Sequence, residues 1–318
     1  MYGTFNHYES IFSIIMMGDI IMEKKVNRDI NAKLLVSAFF WGGSSIAAKI
    51  LMQYASPPIS TFARFGGAAV MLFLIVRIPA GKIKISLNEH IKLAVLGLVG
   101  VSLCYYFYFR GLEISSTFNA ALFEATTPLL TFLIALICRK ESFNKLQFIG
   151  LLVAYFGVMV IAAQGNMRNI IEMKFNFGDL LLLASTVCFA VYNILCKEFT
   201  TTLSSTLETF YIFAYGTIGL IPWLIMSIRE NMKVDLILNI YSIGCIAFLA
   251  IGSSAIAYLF FNQGIEKIGA SKASECINLV PVIAIILTLI VLKDIPQMYQ
   301  IVGAIIILLG VYISKKSK

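Results

Sequence analysis

Ten apolar runs of about 20 residues each, broken by short polar segments, organise this chain from residue 33 onward. They fall at approximately 33–53, 58–77, 91–111, 117–138, 145–163, 178–197, 205–227, 238–263, 272–292 and 297–314. Runs of this length and composition satisfy their backbone polar groups in a bilayer only as helices or closed barrels, and unbroken apolar stretches select the helix. The pattern predicts an all-α membrane protein with ten transmembrane helices and short loops.

Composition narrows the choice further. Of 318 residues, 59% are hydrophobic and 13% charged, with a mean hydropathy of +0.87. A soluble domain carries about 25% charged residues, so a soluble enzyme, a disordered chain and a disulfide scaffold are excluded. The net charge of +8 forms no basic face, so no nucleic-acid partner is expected. The basic residues instead report topology. With the N-terminus cytoplasmic, the inside segments hold 17 Lys and Arg and the outside loops hold 6. Both termini are therefore expected to be cytoplasmic, in the inner or plasma membrane. The inside set includes Arg77, Lys82, Lys84, Lys140, Lys197 and Lys267; the outside set includes Lys174 and Lys233. Lys49 and Arg64 lie within spans. Six cysteines without a Cys-x-x-Cys pair, and only His7 and His90 as histidines, suggest neither a metal site nor a disulfide framework, and no cofactor.

Residues 1–32 read as an N-terminal tail. Met1–Ile21 is weakly apolar and precedes its basic cluster, the reverse of a secretory signal. The sequence points to a native start at Met22, the alternative being a surface-lying or disordered tail.

The two halves resemble each other. Residues 105–158 match 258–311 at an offset of 153: Tyr105/Tyr258, Gly111/Gly264, Ala120/Ala273, Pro128/Pro281, Gly150/Gly303 and Gly157/Gly310 are identical pairs. An offset of 148 relates Lys49 to Lys197 and Thr61-Phe62 to Thr209-Phe210. Five spans per copy is odd, so consecutive copies insert with opposite orientation, the inverted-repeat plan of secondary transporters. The expected organisation is a first repeat over 33–163, a linker over 164–177, a second repeat over 178–314 and a basic tail over 315–318.

Trp41-Gly42-Gly43-Ser44-Ser45-Ile46-Ala47-Ala48-Lys49, Ser56-Pro57-Pro58 with Arg64-Phe65, Ala120 with Pro128, and Asn278-Leu279-Val280-Pro281-Val282 together resemble the EamA-type repeat of the drug/metabolite transporter superfamily. The resemblance covers nearly all of residues 33–314 as two tandem repeats. It implies ten helices in inverted repeats and the export or exchange of small metabolites, often amino acids. Two features depart from the pattern. The acidic residue after the fourth and ninth spans appears as Lys140-Glu141 and Lys293-Asp294 without a preceding Leu-Gly, and the ninth span opens with Glu275.

Candidate chemistry is sparse. Glu124 lies about eight residues into the fourth span, where an ionised carboxylate costs roughly 2.5–3.5 kcal/mol on insertion scales. It must face protein or water there. Pro128 cannot donate to the carbonyl of Glu124, so an acid beside a broken backbone bond is a candidate cation, amine or proton site. Pro281 repeats the arrangement beside Asn278. Glu275 reads as a helix-start cap or a substrate ligand, and Glu208 as part of a capping box with Ser205. Lys49 and Arg64 either snorkel from the outer helix ends or attract a carboxylate-bearing solute. Tyr105 and Tyr258, with Trp41, Asn119 and Asn262, supply aromatic faces and polar groups for an amphipathic metabolite, the competing reading being packing or an interfacial belt. Ser44, Ser45, Tyr106, Tyr108 and Asn193 belong to the same polar and aromatic set. The glycine pairs 150/157 and 303/310, each on one helical face, read as close helix packing or a homodimer contact.

No phosphate loop, nucleophile elbow or zinc-hydrolase motif occurs. The expected function is therefore non-enzymatic: a secondary carrier exporting or exchanging small metabolites, such as amino acids, by alternating access. Membrane lipid surrounds it, and a proton is the candidate coupling ion. Uptake of a sugar, nucleobase or other nutrient, and lipid-linked flipping, are the alternatives.

Overall fold

The computed structural model describes residues 5–76, 85–166, 168, 171, 175–199, 201, 203–229, 236–293 and 295–316, with backbone alone for 5–27 and 292. Arg77, Lys82, Lys84, Lys174, Lys233, Asp294 and Lys318 lie outside the described residues. So do the side chains around the expected start at Met22. Among the described residues ten helices are long and apolar enough to cross a membrane. We label them α1 (Arg28–Leu51, the end of a helix running from Phe5), α2 (Pro57–Val76), α3 (Leu87–Ile114), α4 (Thr117–Ile137), α5 (Lys145–Ala162), α6 (Phe177–Glu198), α7 (Ser205–Arg229), α8 (Ile240–Ile268), α9 (Ala270–Val291) and α10 (Met298–Lys315). Successive spans run in opposite directions. The end where α1 begins is called the N-end, and the other the far end.

The helices start where the side chains allow. Asn144, Asn176, Ser116 and Asn239 each accept a hydrogen bond from a first-turn backbone N–H of α5, α6, α4 and α8, replacing partners that the helix itself cannot supply. For α7 the cap is Ser204, which accepts from Leu207, one residue before the capping box expected at Ser205. Glu208 pairs with Thr201 instead.

Packing repeats across the two halves with opposite sense. Gly111 on α3 lies against Leu182 of α6, and its repeat-mate Gly264 on α8 lies against Leu34 of α1. Leu182 and Leu34 are themselves 148 positions apart. On α5 and α10 a Cβ on Gly150 would meet the carbonyl oxygen of Gly310 at 2.6 Å, and one on Gly157 would meet that of Gly303 at 2.7 Å. The glycine faces are thus consumed by α5 packing on α10 within one chain, and the homodimer contact read into them is not where they lie. This crossed pairing, the first glycine of one helix on the second of the other, is what a two-fold relation in the membrane plane produces.

Irregular backbone also repeats. α3 widens into a π-helical segment at Leu98–Leu103 and α8 at Phe248–Ile256, each ending just before the repeat-mates Cys104 and Ala257. Both α4 and α9 are interrupted before their proline. Thr126 sits at φ −76°, ψ −11° and Leu279 at φ −79°, ψ −16°. A π segment shifts the backbone bonding register and such segments gather at functional sites. Here α1 uses carbonyls in and just after the second segment: Trp41 Nε1 donates to Ser253 O at 3.0 Å and Ser37 Oγ donates to Ala257 O at 2.8 Å.

Candidate functional site

The repeat-mates Tyr105 and Tyr258 meet at the centre, their hydroxyl oxygens 3.2 Å apart. Beside them Phe65 and Phe213, related by the 148 offset, stand 5.3 Å apart between ring centroids. Trp41 lies edge-on to Tyr258 at 5.5 Å and to Phe261 at 5.0 Å. Tyr258 and Phe261 are buried while Tyr105 and Trp41 are partly open, so the cluster forms an aromatic floor with one accessible side.

Arg64 stands over this floor. From the seventh position after Pro57 it turns inward: Nε donates to Ser254 Oγ at 2.7 Å and Nη2 to Ser253 Oγ at 3.0 Å. Its guanidinium carbon lies 5.1 Å from the Phe65 ring centroid and 5.3 Å from that of Tyr105. Snorkelling of Arg64 to the far end is therefore overturned. Two fully buried serines on the π-helical segment of α8 and two aromatic faces fix it instead, which suits a planar guanidinium. Nη1 keeps no hydrogen-bond partner among the described residues.

Glu124 lies on the order of 10 Å from the far end of α4. It is exposed, yet its electrostatic neighbours are Arg64, Tyr105 and Tyr108. The carboxylate is thus within electrostatic reach of α2 and α3. It makes no hydrogen bond or ion pair among the described residues. An acid and a guanidinium that interact electrostatically, each with bonding capacity to spare among the described residues, thus lie near the aromatic floor that Arg64 covers. The second repeat holds Ile212 and Ile277 where the first holds Arg64 and Glu124, so the charge belongs to one half only. Lys49 is exposed toward the far end of α1 and has no partner among the described residues.

Other expected site residues lie elsewhere. Asn119 is buried and donates through Nδ2 to Asp179 Oδ1 at 2.7 Å, joining Ser115 in tying α3 and α4 to the start of α6. Asn262 accepts from Tyr192 Oη at 2.9 Å and donates to Thr209 at 3.4 Å, linking α8 to α6 and α7. Glu275 is neither a helix-start cap nor open to the central space. Its Oε1 accepts from Gln147 Nε2 at 3.1 Å and from Ser314 Oγ at 2.6 Å, clamping α9 to α5 and α10. Asn278 is buried beside the Pro281 break, on the repeat opposite Glu124. Ser253, Ser254 and the closeness of Tyr108 to Glu124 carried no sequence signal, because serines in an apolar run read as helix packing.

Ten apolar spans and crossed inverted packing define a multi-pass membrane protein, consistent with the plasma membrane. The EamA-like transporter family matches residues 31–163 and 176–315, and the chain belongs to that family, within the drug/metabolite transporter superfamily. It is 33% identical over 279 residues to the uncharacterized transporter YyaM of Bacillus subtilis (strain 168), covering 87% of this chain and 90% of that one. An uncharacterized transporter of Archaeoglobus fulgidus is 28% identical over 289 residues, covering 91% of this chain and 98% of that one. In fold, a crystal structure of a protein with 16% identity superposes with a TM-score of 0.72, covering 91% of this chain and 97% of that one.

Proposed function

We propose that the chain is a secondary carrier that exports or exchanges small metabolites carrying both an amine and a carboxylate, amino acids foremost, by alternating access. The observation that carries this is the unpaired Glu124 carboxylate within electrostatic reach of the Arg64 guanidinium. Glu124 holds the ammonium and Arg64 the carboxylate, while the Trp41, Tyr105 and Tyr258 faces take the apolar part. Two opposite charges within electrostatic reach of each other favour a zwitterion over a sugar or nucleobase, neither of which needs both. A lipid-linked flippase gains no support, because Arg64 is turned into the bundle. No enzymatic step is required of any residue.

In this reading the N-end is cytoplasmic, as the basic residues suggest, and a proton taken up by Glu124 is the coupling ion. The test compares extracellular metabolites of cells producing the intact protein with those producing Glu124→Gln or Tyr258→Ala at equal membrane levels. Accumulation of an amino acid outside only with the intact protein supports export. Identical media contradict it and turn the assay to uptake.

A further inference from the structure

We propose that the N-end of the bundle is a gate, latched by Glu141 and Lys140, and that the structure describes the carrier closed at that end and open at the far end. The two halves of the pathway differ in what they leave accessible. Toward the far end Glu124 and Lys49 are exposed. Toward the N-end α1, α4, α6 and α8 close on a dry layer of Ile30, Leu34, Ala135, Ile194, Phe261 and Ile265, all buried.

Polar side chains are sealed into the same half. Thr131, Asn193, Ser271 and Ser274 are each 0% exposed. Asn193 Nδ2 donates to Thr131 Oγ1 at 3.2 Å, but Asn193 Oδ1 and Ser271 Oγ have no partner among the described residues. A buried acceptor without a partner is costly, and packing that serves one state alone would replace it with an apolar group. These atoms are satisfied if water reaches them when the N-end opens.

The latch spans the two repeats. α9 follows Gly269, which caps it at φ +92° and offers no side-chain cap. In its first turn the Ser271 N–H instead donates to Glu141 Oε1 at 3.2 Å, across from the loop after α4. The adjacent Lys140 pairs with Glu198 at the end of α6. Lys197 Nζ donates to Glu266 O at 2.5 Å at the end of α8. The Lys140-Glu141 pair thus fastens the first repeat to two helices of the second. Opening the N-end must break these contacts.

The proposal rests on the carrier reading, but its test needs no solute. Native Cys276 lies buried in the closed half, native Cys104 is buried in α3, and Cys138 is exposed at the N-end of α4. Maleimide labelling of the purified full-length chain, quantified cysteine by cysteine by peptide mass spectrometry, reads access at all three. Glu141→Ala and Lys140→Ala are each expected to speed labelling of Cys276 by about fivefold, the effect of losing one partly exposed bond worth about 1 kcal/mol. Cys104 and Cys138 should keep their rates. Exchanging the charges, with Lys140→Glu and Glu198→Lys together, should restore slow labelling. Unchanged Cys276 labelling in both alanine variants, or a matching rise at Cys104 that reports general loosening, overturns the gate.

Discussion

Tyr105 and Tyr258 occupy the same position in the two repeats, 153 residues apart, and their hydroxyl oxygens are 3.2 Å from each other. Repeat-mates that touch must lie on the axis relating the repeats. The aromatic floor therefore sits on the pseudo-two-fold, where inverted-repeat carriers place their solute. The charges above it break that symmetry, since Arg64 and Glu124 come from the first repeat alone.

The Tyr105–Tyr258 contact is testable as a coupling. Each Tyr→Phe change should lower thermal stability by a similar amount, and the double variant should be no worse than either single one. The cycle should return about 1 kcal/mol, the net worth of one hydrogen bond. A coupling near zero would show that the hydroxyls do not meet.

Arg64 is held by two serines through separate nitrogens, a geometry that one ammonium cannot reproduce. Arg64→Ala should cut the initial transport rate at least about tenfold, equivalent to roughly 1.4 kcal/mol, and leave Ser253 and Ser254 buried without their donor. Arg64→Lys should recover only part of that loss. Full recovery by lysine, measured at matched membrane levels, would mean that charge alone matters.

The glycine crossings of α5 and α10 leave no room for a methyl group. On Gly157 a Cβ would lie 2.7 Å from Gly303 O and 2.8 Å from Ile307 N, both backbone atoms that cannot swing aside. Gly157→Ala should destabilise the chain by about 1–3 kcal/mol, read as a lower melting temperature in detergent. An unchanged melting temperature would mean that the helices are further apart.

Glu124 sets the expected pH response. Acidification protonates the carboxylate and removes the negative charge that holds an ammonium, so solute binding should weaken as pH falls. Arg64, Tyr105 and Tyr108 are its charged and titratable neighbours. In Glu124→Gln the residual transport should lose the pH dependence of the wild type. A variant that keeps the wild-type profile removes Glu124 as the proton and amine site.

The ten spans were legible because the bilayer demands about 20 apolar residues per crossing; the offset of 153 followed from Tyr, Gly and Pro pairs, and that of 148 from Lys49/Lys197 and Thr61-Phe62/Thr209-Phe210. Span ends shifted by a few residues: α3 starts at Leu87 rather than 91, because Ser86 caps it. The π-helical segments left no trace, since shifting the hydrogen-bond register changes no side-chain pattern. The choice between snorkelling and attracting a carboxylate stayed open for Arg64 for a related reason. Its position near a helix end is the ordinary setting for snorkelling, and the serines that draw it inward lie 189 and 190 residues away in the chain. Asn119, Asn262 and Glu275 were plausible ligands as types. Their partners Asp179, Tyr192, Gln147 and Ser314 come from distant spans, and only the packed bundle reveals that these side chains are engaged.

The most direct measurement is counterflow in proteoliposomes loaded with a single solute, run across a panel of neutral amino acids, the matching amines and carboxylic acids, and simple sugars. The account predicts that zwitterions exchange while the amines and acids, each lacking one charge, fail. It also predicts that Glu124→Gln and Arg64→Ala each abolish the preference for the zwitterion. Equal exchange of a sugar, or a zwitterion preference that survives in both variants, would contradict it.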